Sequence, residues 1–249
     1  MALDMGSART RAWLTGRGVI VDVPTVTHPG TGAVHPIQRG AIIDTPGCAR
    51  MLQRLLGDHL PRSVRPMVLV TTPVLDGVAY RAQARTAVEA LRPQTVLTVP
   101  TARGIALATG ADLSGPLLVL DMGAHLTEAV LLCDGAVTDA RRTALGTEDL
   151  DEETTAEELA EAAARMLTAM LRQDRTSLSL DALRRGTLLA GGGALRPEVT
   201  DHLTARLHAP LRVVPAPHTA AVRGAARLLH AALGHPSTLP PTPGLTTVL

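Results

Sequence analysis

Two short acidic loops, repeated with the same spacing, contain the residues best suited to chemistry in this sequence. The first loop contains Asp4, Gly6 and Thr10. The same three residue types recur 117 positions later, as Asp121, Gly123 and Thr127. An aspartate at the end of a strand can hold Mg²⁺ or its water shell, a glycine lets the backbone approach a ligand, and hydroxyl and N–H groups bind phosphate oxygens. Two such loops facing each other could hold a triphosphate from both sides, whereas either copy alone could be only a turn between strands.

A run of glycines is a third candidate binding element. Gly191, Gly192 and Gly193, followed by Ala194, lie between a predicted strand and a predicted helix. Glycines at such a position let the backbone approach a flat ligand, as they do in nucleotide-binding loops. A tight turn would explain them equally well if they stood alone. In series with the two acidic loops, they predict a contact with adenosine.

The elements that must position these loops are repeated as well. Each acidic loop follows an apolar strand and precedes a β-hairpin. In the second copy Cys133-Asp134-Gly135 forms the turn, and an Asp-Gly pair is a strong hairpin signal. The second copy is predicted to have its strand at 117–120 and its hairpin arms at 127–132 and 136–143, and the first copy its arms at 10–14 and 19–23. A repeat at this spacing is not a solenoid period, so it predicts two related lobes.

Strands alternate with helices after each hairpin, which predicts an α/β fold with central parallel strands. One helix is predicted to start near Pro46 with Thr45 as its N-cap, and another to start at a capping box formed by Thr155 and Glu158. The other predicted strands are 67–71, 94–99, 187–190 and 211–214, and the other helices are 76–91, 100–109 and 219–233. The predicted first lobe is 1–112, completed by helix 219–233; the second lobe is 113–218, and 235–249 is a disordered tail.

Composition excludes several classes of protein. Among the 249 residues only 1% are aromatic, Phe is absent and the formal net charge is +1, so there is no electrostatic footprint for nucleic acid. Cys48 and Cys133 lie in apolar surroundings and are interpreted as reduced core thiols. We find no signal peptide and no apolar run long enough for a membrane-spanning helix, so we expect a cytoplasmic protein without direct membrane insertion.

Taken as an ordered set, these motifs resemble the actin-like ATPase superfamily and, within it, the bacterial rod-shape MreB family. The segments 3–10, 16–26, 39–44, 121–128 and 188–195 are similar, in that order, to the first phosphate loop, the glycine hairpin, the "DGVIADF" strand, the second phosphate loop and the adenosine loop. The resemblance implies a duplicated actin-like (ribonuclease H-like) fold. Only 29–36 and 146–155 stand where relatives insert their upper subdomains, so the two lobes correspond to the lower subdomains IA and IIA, and IB and IIB are absent.

The resemblance also implies a site for ATP or ADP with Mg²⁺. Asp4 and Asp121 would hold Mg²⁺ through water. The residues implied to contact phosphate are Gly6, Ser7, Ala8, Arg9, Thr10, Gly123, Ala124, His125 and Thr127. Those implied to face adenosine are Gly191, Gly192, Gly193 and Ala194.

Two departures from the family pattern imply an impaired site. Ala124 and His125 stand where relatives continue with glycines, and a Cβ costs about 1 kcal/mol or more wherever φ must be positive. Val99 stands before Pro100, at the position of the family's acidic residue that orients the attacking water, and a valine cannot do so. We therefore expect weak nucleotide binding with poor or no hydrolysis, and the sequence identifies no catalytic residue.

Three functions are consistent with these residues. The resemblance implies an MreB-like protein of cell-shape, cell-wall or spore-envelope morphogenesis. It would act with full-length MreB or other cytoskeletal or cell-wall synthesis proteins, with homo-oligomers as a possibility and partners recruiting it to the membrane. The alternative is a nucleotide-free adaptor that uses the fold only as a binding surface. An active ATPase or sugar kinase of the superfamily is a third hypothesis, and it requires a catalytic base that we do not find.

Overall fold

The computed structural model describes residues 1–15, 18–28, 32–60, 63 and 65–234. Its first half contains β1 Ala2–Met5, β2 Arg9–Leu14, β3 Val19–Pro24, β4 Ile37–Gln38, β5 Ala41–Ile42, α1 Thr45–Leu56, β6 Met67–Thr72, α2 Gly77–Val88, β7 Thr95–Pro100 and α3 Thr101–Thr109. Its second half contains β8 Leu117–Met122, β9 Thr127–Cys133, β10 Ala136–Thr143, α4 Ala156–Gln173, α5 Leu178–Arg185, β11 Thr187–Ala190, α6 Pro197–Leu207, β12 Leu211–Val213 and α7 Ala220–Leu233. The predicted tail, 235–249, lies outside the described residues.

The two halves have the same sheet topology. The strand order is β3-β2-β1-β6-β7 in the first five-stranded sheet and β10-β9-β8-β11-β12 in the second. In each sheet the first three strands are antiparallel neighbours, and the last two are added in parallel. The predicted duplicated α/β fold is therefore confirmed. Because parallel strands end at the same edge of a sheet, the topology brings the ends of β1 and β6, and of β8 and β11, together.

The second acidic loop begins later than the sequence suggested. We predicted that Asp121 would end the strand, but β8 continues to Met122. Asp121 pairs with Glu128 of β9 on one side and with Ala190 of β11 on the other, so the ladder holds it in place. Propensity disfavours aspartate in strands, and here pairing on both sides overrides it.

The connections in which relatives carry upper subdomains are short. Between β3 and α1, the described residues form only the small β4–β5 hairpin and an isolated bridge between Thr27 and Val34. Residues 144–155, between β10 and α4, contain no helix or strand. Within the described part of the chain, neither connection forms a subdomain, as the resemblance predicted.

Each half supplies one helix to the other half's sheet. Helix α7 packs on the first sheet, where Val222, Ala225 and Leu229 form a buried cluster with residues of β1, β6 and β7. Helix α3 follows β7 in the chain, but its Ile105 and Ala106 are buried in a cluster with β8 and β9. The predicted lobe boundary at residue 112 stays a prediction, since this exchange ties the halves together.

The N-cap of α1 corrects one sequence prediction. Asp44, not Thr45, caps this helix, because its carboxylate accepts a hydrogen bond of 2.8 Å from the Gly47 N–H. The capping box of Thr155 and Glu158 at the start of α4 is confirmed.

The N-cap assignment can be tested by two substitutions. Asp44→Ala should lower the free energy of unfolding by about 1 kcal/mol, because it leaves a first-turn N–H group without its partner. Thr45→Ala should change it by less than about 0.5 kcal/mol. Urea unfolding followed by circular dichroism measures both, and equal losses would contradict the assignment.

Candidate functional site

A cleft of about 240 Å³ lies between the two halves. Its walls come from both acidic loops and from the glycine run. The predicted site residues that line it are Asp4, Gly6, Ser7, Ala8, Arg9, Asp121, Gly123, Ala124, Gly191 and Gly192. The structure therefore brings most of the predicted set to one place, although the residues lie far apart in the chain.

The two acidic loops have the same internal geometry. In the first, the Gly6 N–H donates to the carbonyl of Arg9 at 2.9 Å. In the second, the Gly123 N–H donates to the carbonyl of Leu126 at 2.8 Å. A Cβ on either glycine would lie within 3.1 Å of the carbonyl oxygen that its own N–H contacts. The repeat seen in the sequence is thus a repeat of a tight turn that needs glycine.

Asp4 and Asp121, one from each acidic loop, both line the cleft. Burial raises the pKa of Asp4, although a hydrogen bond of 2.5 Å from the Thr71 hydroxyl opposes the shift. Burial also raises the pKa of Asp121 to about 7, and the negative charges of Asp4 and Glu128 add to the effect. A divalent cation bound between two such carboxylates would reduce their electrostatic repulsion.

The donor set fits Mg²⁺ better than a metal that needs a full protein cage. The described residues include no group of three or more His, Cys, Asp or Glu side chains arranged to hold a metal ion. Mg²⁺ typically takes one or two carboxylates and completes its shell with water and phosphate oxygens. Asp4 and Asp121 supply those two carboxylates.

The glycine run packs against the second acidic loop. Gly191 has a φ of +83°, and a Cβ there would lie 2.3 Å from the carbonyl oxygen of Met122. The same Cβ would lie 2.6 Å from Oδ1 of Asp121, so any side chain would push into the carboxyl group. Gly192 lines the cleft, and a Cβ there would make only an ordinary van der Waals contact with the Thr147 hydroxyl, at 3.8 Å. Gly193 and Ala194 are buried behind it.

The two loop threonines use their hydroxyl groups inside the protein. Thr10 shares a hydrogen bond of 2.8 Å with the hydroxyl of Thr25. Thr127 donates to the carbonyl of Leu145 at 2.8 Å. Both side chains are buried and neither lines the cleft. Their contact with phosphate stays a prediction, and it would require these hydrogen bonds to change.

Arg11 is a site residue that the sequence reasoning missed. It lines the cleft, its positive charge lowers the pKa values of both Asp4 and Asp121, and its Nε donates to Asp22 at 3.1 Å. The alternation of side chains along β2 was an available signal, since Arg11 must lie on the same face as Arg9.

Glu128 was quoted only as part of a motif, yet it connects the two halves. Its carboxylate lines the cleft and accepts hydrogen bonds from the N–H groups of Val74 at 3.2 Å and Leu75 at 3.3 Å. Burial raises its pKa, and the two backbone donors oppose that shift. Glu128 belongs to the second half, so these hydrogen bonds from Val74 and Leu75 tie it to the first half.

Val99 cannot orient an attacking water, which is the role of the acidic residue at this position in the family pattern. It is 3% exposed and belongs to the buried cluster that α7 forms on the first sheet. Its side chain is apolar and is not part of the cleft wall. The expectation of an impaired hydrolytic site therefore keeps its physical basis.

Comparison with known proteins identifies the fold. No protein-family model matches the sequence, and no curated protein matches it. Among solved structures, MreB5 of Spiroplasma citri bound to ADP and to AMPPNP aligns with TM-scores of 0.75 and 0.77 at 15% and 16% identity, covering 93% of this chain and 96% of that chain. A MamK double helical filament aligns with a TM-score of 0.77 at 14% identity, covering 92% of this chain and 97% of that chain. EutJ from Carboxydothermus hydrogenoformans aligns at 0.62 and 15% identity, over 90% of this chain and 88% of that one.

The chain therefore has the actin-like ATPase fold, as its motifs predicted. At these identities the similarity establishes the fold and leaves the activity open. Across the described residues, no helix is both long and apolar enough to cross a membrane.

Proposed function

We propose that the cleft binds an adenine nucleotide with Mg²⁺, weakly, and that it hydrolyses the nucleotide poorly or not at all. The observation that carries this proposal is the meeting of Asp4 and Asp121, from two repeated loops, inside one cleft. The similarity to MreB5 bound to ADP and to AMPPNP supports the choice of ligand. The burial of Val99 supports poor hydrolysis.

The chain's own residues suggest how the ligand would be held. Mg²⁺, when bound, supplies positive charge between phosphate oxygens and the two carboxylates. Thr71 fixes the Asp4 carboxyl group through its hydrogen bond, and Arg11 offsets the negative charge of the pair. The turns at Gly6 and Gly123 present loop backbone to phosphate, and Gly192 leaves room for the adenosine.

Calorimetric titration with Mg-ATP and Mg-ADP tests the site. Asp4→Ala and Asp121→Ala should each weaken binding at least about 10-fold, because each removes half of the negative charge that holds the cation. Asp201→Ala is the matched control, since Asp201 is exposed on α6, outside the cleft. Absence of binding by the unsubstituted protein and all three variants would remove the nucleotide from the proposal.

Hydrolysis is measured separately by phosphate release. We expect no turnover above background, because Val99 stands at the position of the family's acidic residue that orients the attacking water, and a valine cannot do so. Measurable turnover that Asp4→Ala abolishes would instead favour an active ATPase or kinase of this fold.

In the cell, we propose that the protein acts in cell-shape, cell-wall or spore-envelope morphogenesis. It would act from the cytoplasm through full-length MreB or other cytoskeletal or cell-wall synthesis proteins, with recruitment to the membrane by those partners. Self-association is part of the proposal, and the similarity to MamK in a double helical filament supports it.

A nucleotide-free adaptor is the second candidate, and a specific observation favours it. Ion pairs join the two halves outside the cleft, including Arg39 to Asp149 at 2.7 Å and Arg142 to Asp76. Two halves joined in this way would present a rigid binding surface. A partner pull-down that is insensitive both to nucleotide and to Asp121→Ala would select this function.

A further inference from the structure

His125 joins the tips of the two acidic loops. Its Nδ1 lies 3.0 Å from the hydroxyl oxygen of Ser7, in the opposite loop. Its other ring nitrogen, Nε2, lies 3.8 Å from Oε2 of Glu148. Ser7 and Glu148 both line the cleft, so the ring bridges two parts of its wall. Nothing in the family resemblance accounts for this bridge, because relatives have glycine where this chain has His125.

The negative charge of the Glu148 carboxylate, 3.8 Å from Nε2 and so beyond hydrogen-bond distance, favours the tautomer of His125 that carries its hydrogen on Nε2. Nδ1 then has a lone pair and accepts, which makes the Ser7 hydroxyl the donor. Ser7 has one hydroxyl hydrogen, and His125 uses it.

Neighbouring contacts hold the bridge in position. Arg39, from the β4–β5 turn, donates to Oδ1 of Asp149 at 2.7 Å and also to the carbonyl of Ala144. These contacts anchor the segment that carries Glu148. Leu126 packs against Gly40, where a Cβ would lie 2.7 Å from a Leu126 methyl carbon. The tip of the second acidic loop and the segment that carries Glu148 are therefore both attached to the first half.

We propose that His125 competes with phosphate for the Ser7 hydroxyl hydrogen and thereby sets the nucleotide affinity of the cleft. Phosphate oxygens only accept hydrogen bonds, so Ser7 cannot donate to His125 and to phosphate at once. The inference rests on the proposed nucleotide site and assigns His125 a role opposite to the phosphate contact that the family resemblance implied. His125 lowers affinity, and its removal raises it.

A double-mutant cycle tests the competition, with Mg-ADP as the probe in calorimetric titration. His125→Ala should tighten binding about 10-fold, which is about 1.4 kcal/mol, because Ser7 can then donate to phosphate. Ser7→Ala should bind Mg-ADP about as tightly as the unsubstituted protein, because in the unsubstituted protein the Ser7 hydroxyl hydrogen is already donated to His125. In the double variant the gain should disappear, because there is no hydroxyl to release.

Two further variants complete the design. His202→Ala removes an exposed histidine on α6, outside the cleft, and should leave affinity unchanged. Glu148→Ala removes the negative charge that favours the ring hydrogen on Nε2, changes no residue of either loop, and should tighten binding several-fold. Thermal unfolding of each protein shows that it is folded, and Glu148→Ala carries the test if His125→Ala does not fold.

Each outcome separates the competition from the nucleotide site itself. If His125→Ala binds like the unsubstituted protein while Asp121→Ala loses binding, the competition is overturned and the nucleotide site stands. If the double variant keeps the gain of His125→Ala, the ring acts by its bulk, and the role given to the Ser7 hydrogen is overturned. If no variant binds, both the nucleotide site and the competition fail.

Discussion

Replacing Gly224 by alanine is expected to unfold the protein or to lower its free energy of unfolding by more than about 3 kcal/mol. Gly224 lies where α7 crosses α3, and a Cβ there would lie 1.6 Å from the carbonyl oxygen of Gly104. That atom belongs to a helix backbone, so it cannot move aside as a side chain can. The helices would have to separate, and each of them covers the other half's sheet.

Gly57→Ala is the matched control for this substitution. Gly57 ends α1 with helical angles, φ −57° and ψ −42°, and the nearest atom to an added Cβ would be a Gln53 side-chain carbon at 3.9 Å. Alanine should therefore be neutral there or stabilise the protein by up to about 1 kcal/mol. Urea unfolding and soluble yield measure both variants. A Gly224→Ala protein as stable as the Gly57→Ala protein would show that the helices do not cross this closely.

The parts of the fold that depend on neighbours in the chain were predictable. The hairpin arm 136–143 and the strand 187–190 were predicted with their observed ends, because an Asp-Gly turn or the start of a glycine run determines each boundary locally. The capping box at Thr155 was predicted for the same reason, since its two members are three residues apart.

Helix 219–233 was predicted to complete the first lobe, but the packing of α3 on the second sheet could not be predicted from local patterns. Both helices carry an apolar face, and the amphipathic pattern does not say which sheet covers it. In the sequence, Gly104 and Gly224 indicate only weakened helices. The structure shows that the close crossing of α3 and α7 leaves no space for a Cβ at either position. Contacts between residues more than 100 positions apart decide this part of the structure.

For the candidate site, the sequence predicted which loops meet but not the charges around them. Asp4 and Asp121 were predicted to share a groove because their loops repeat, and both carboxyl groups line one cleft. The sequence did not reveal that Glu128 raises the pKa of Asp121 or that Arg11 lowers it. Both effects depend on distances between residues of different strands, which local patterns do not give. The Ser7–His125 bridge was missed for the same reason, since it joins residues 118 positions apart.

The charge of Asp121 should make the stability of the protein depend on pH, in the opposite direction to an ordinary ion-paired carboxylate. Its folded pKa of about 7 is well above the usual pKa of an aspartate, about 3.9. Below about pH 4 the group is protonated in both folded and unfolded states, so no stability is lost there. Between about pH 4 and pH 7 the carboxyl group ionises in the unfolded state but stays protonated in the folded state, so stability falls across this range and levels off above it. The full effect of such a shift is about 4 kcal/mol.

Asp121→Asn should therefore stabilise the protein by about 2 to 4 kcal/mol at pH 8, because asparagine has the same shape and no charge. Its advantage over the unsubstituted protein should be about 2 kcal/mol smaller at pH 5 than at pH 8. Asp201→Asn, at an exposed position on α6, should show no such difference. Urea unfolding at the two pH values measures all three proteins, and the same pH dependence in Asp121→Asn and unsubstituted protein would contradict the assignment.

At pH 8, Mg²⁺ should narrow the difference in stability between Asp121→Asn and the unsubstituted protein, because a cation between Asp4 and Asp121 favours the ionised forms that burial disfavours. The same substitution that stabilises the protein should then abolish its response to Mg²⁺. If Asp4 and Asp121 served only the fold, uncharged side chains at these positions would give a more stable protein. A cation site, by contrast, requires the destabilising negative charge. Replacing Asp121 should therefore raise the free energy of unfolding and abolish its increase on adding Mg²⁺.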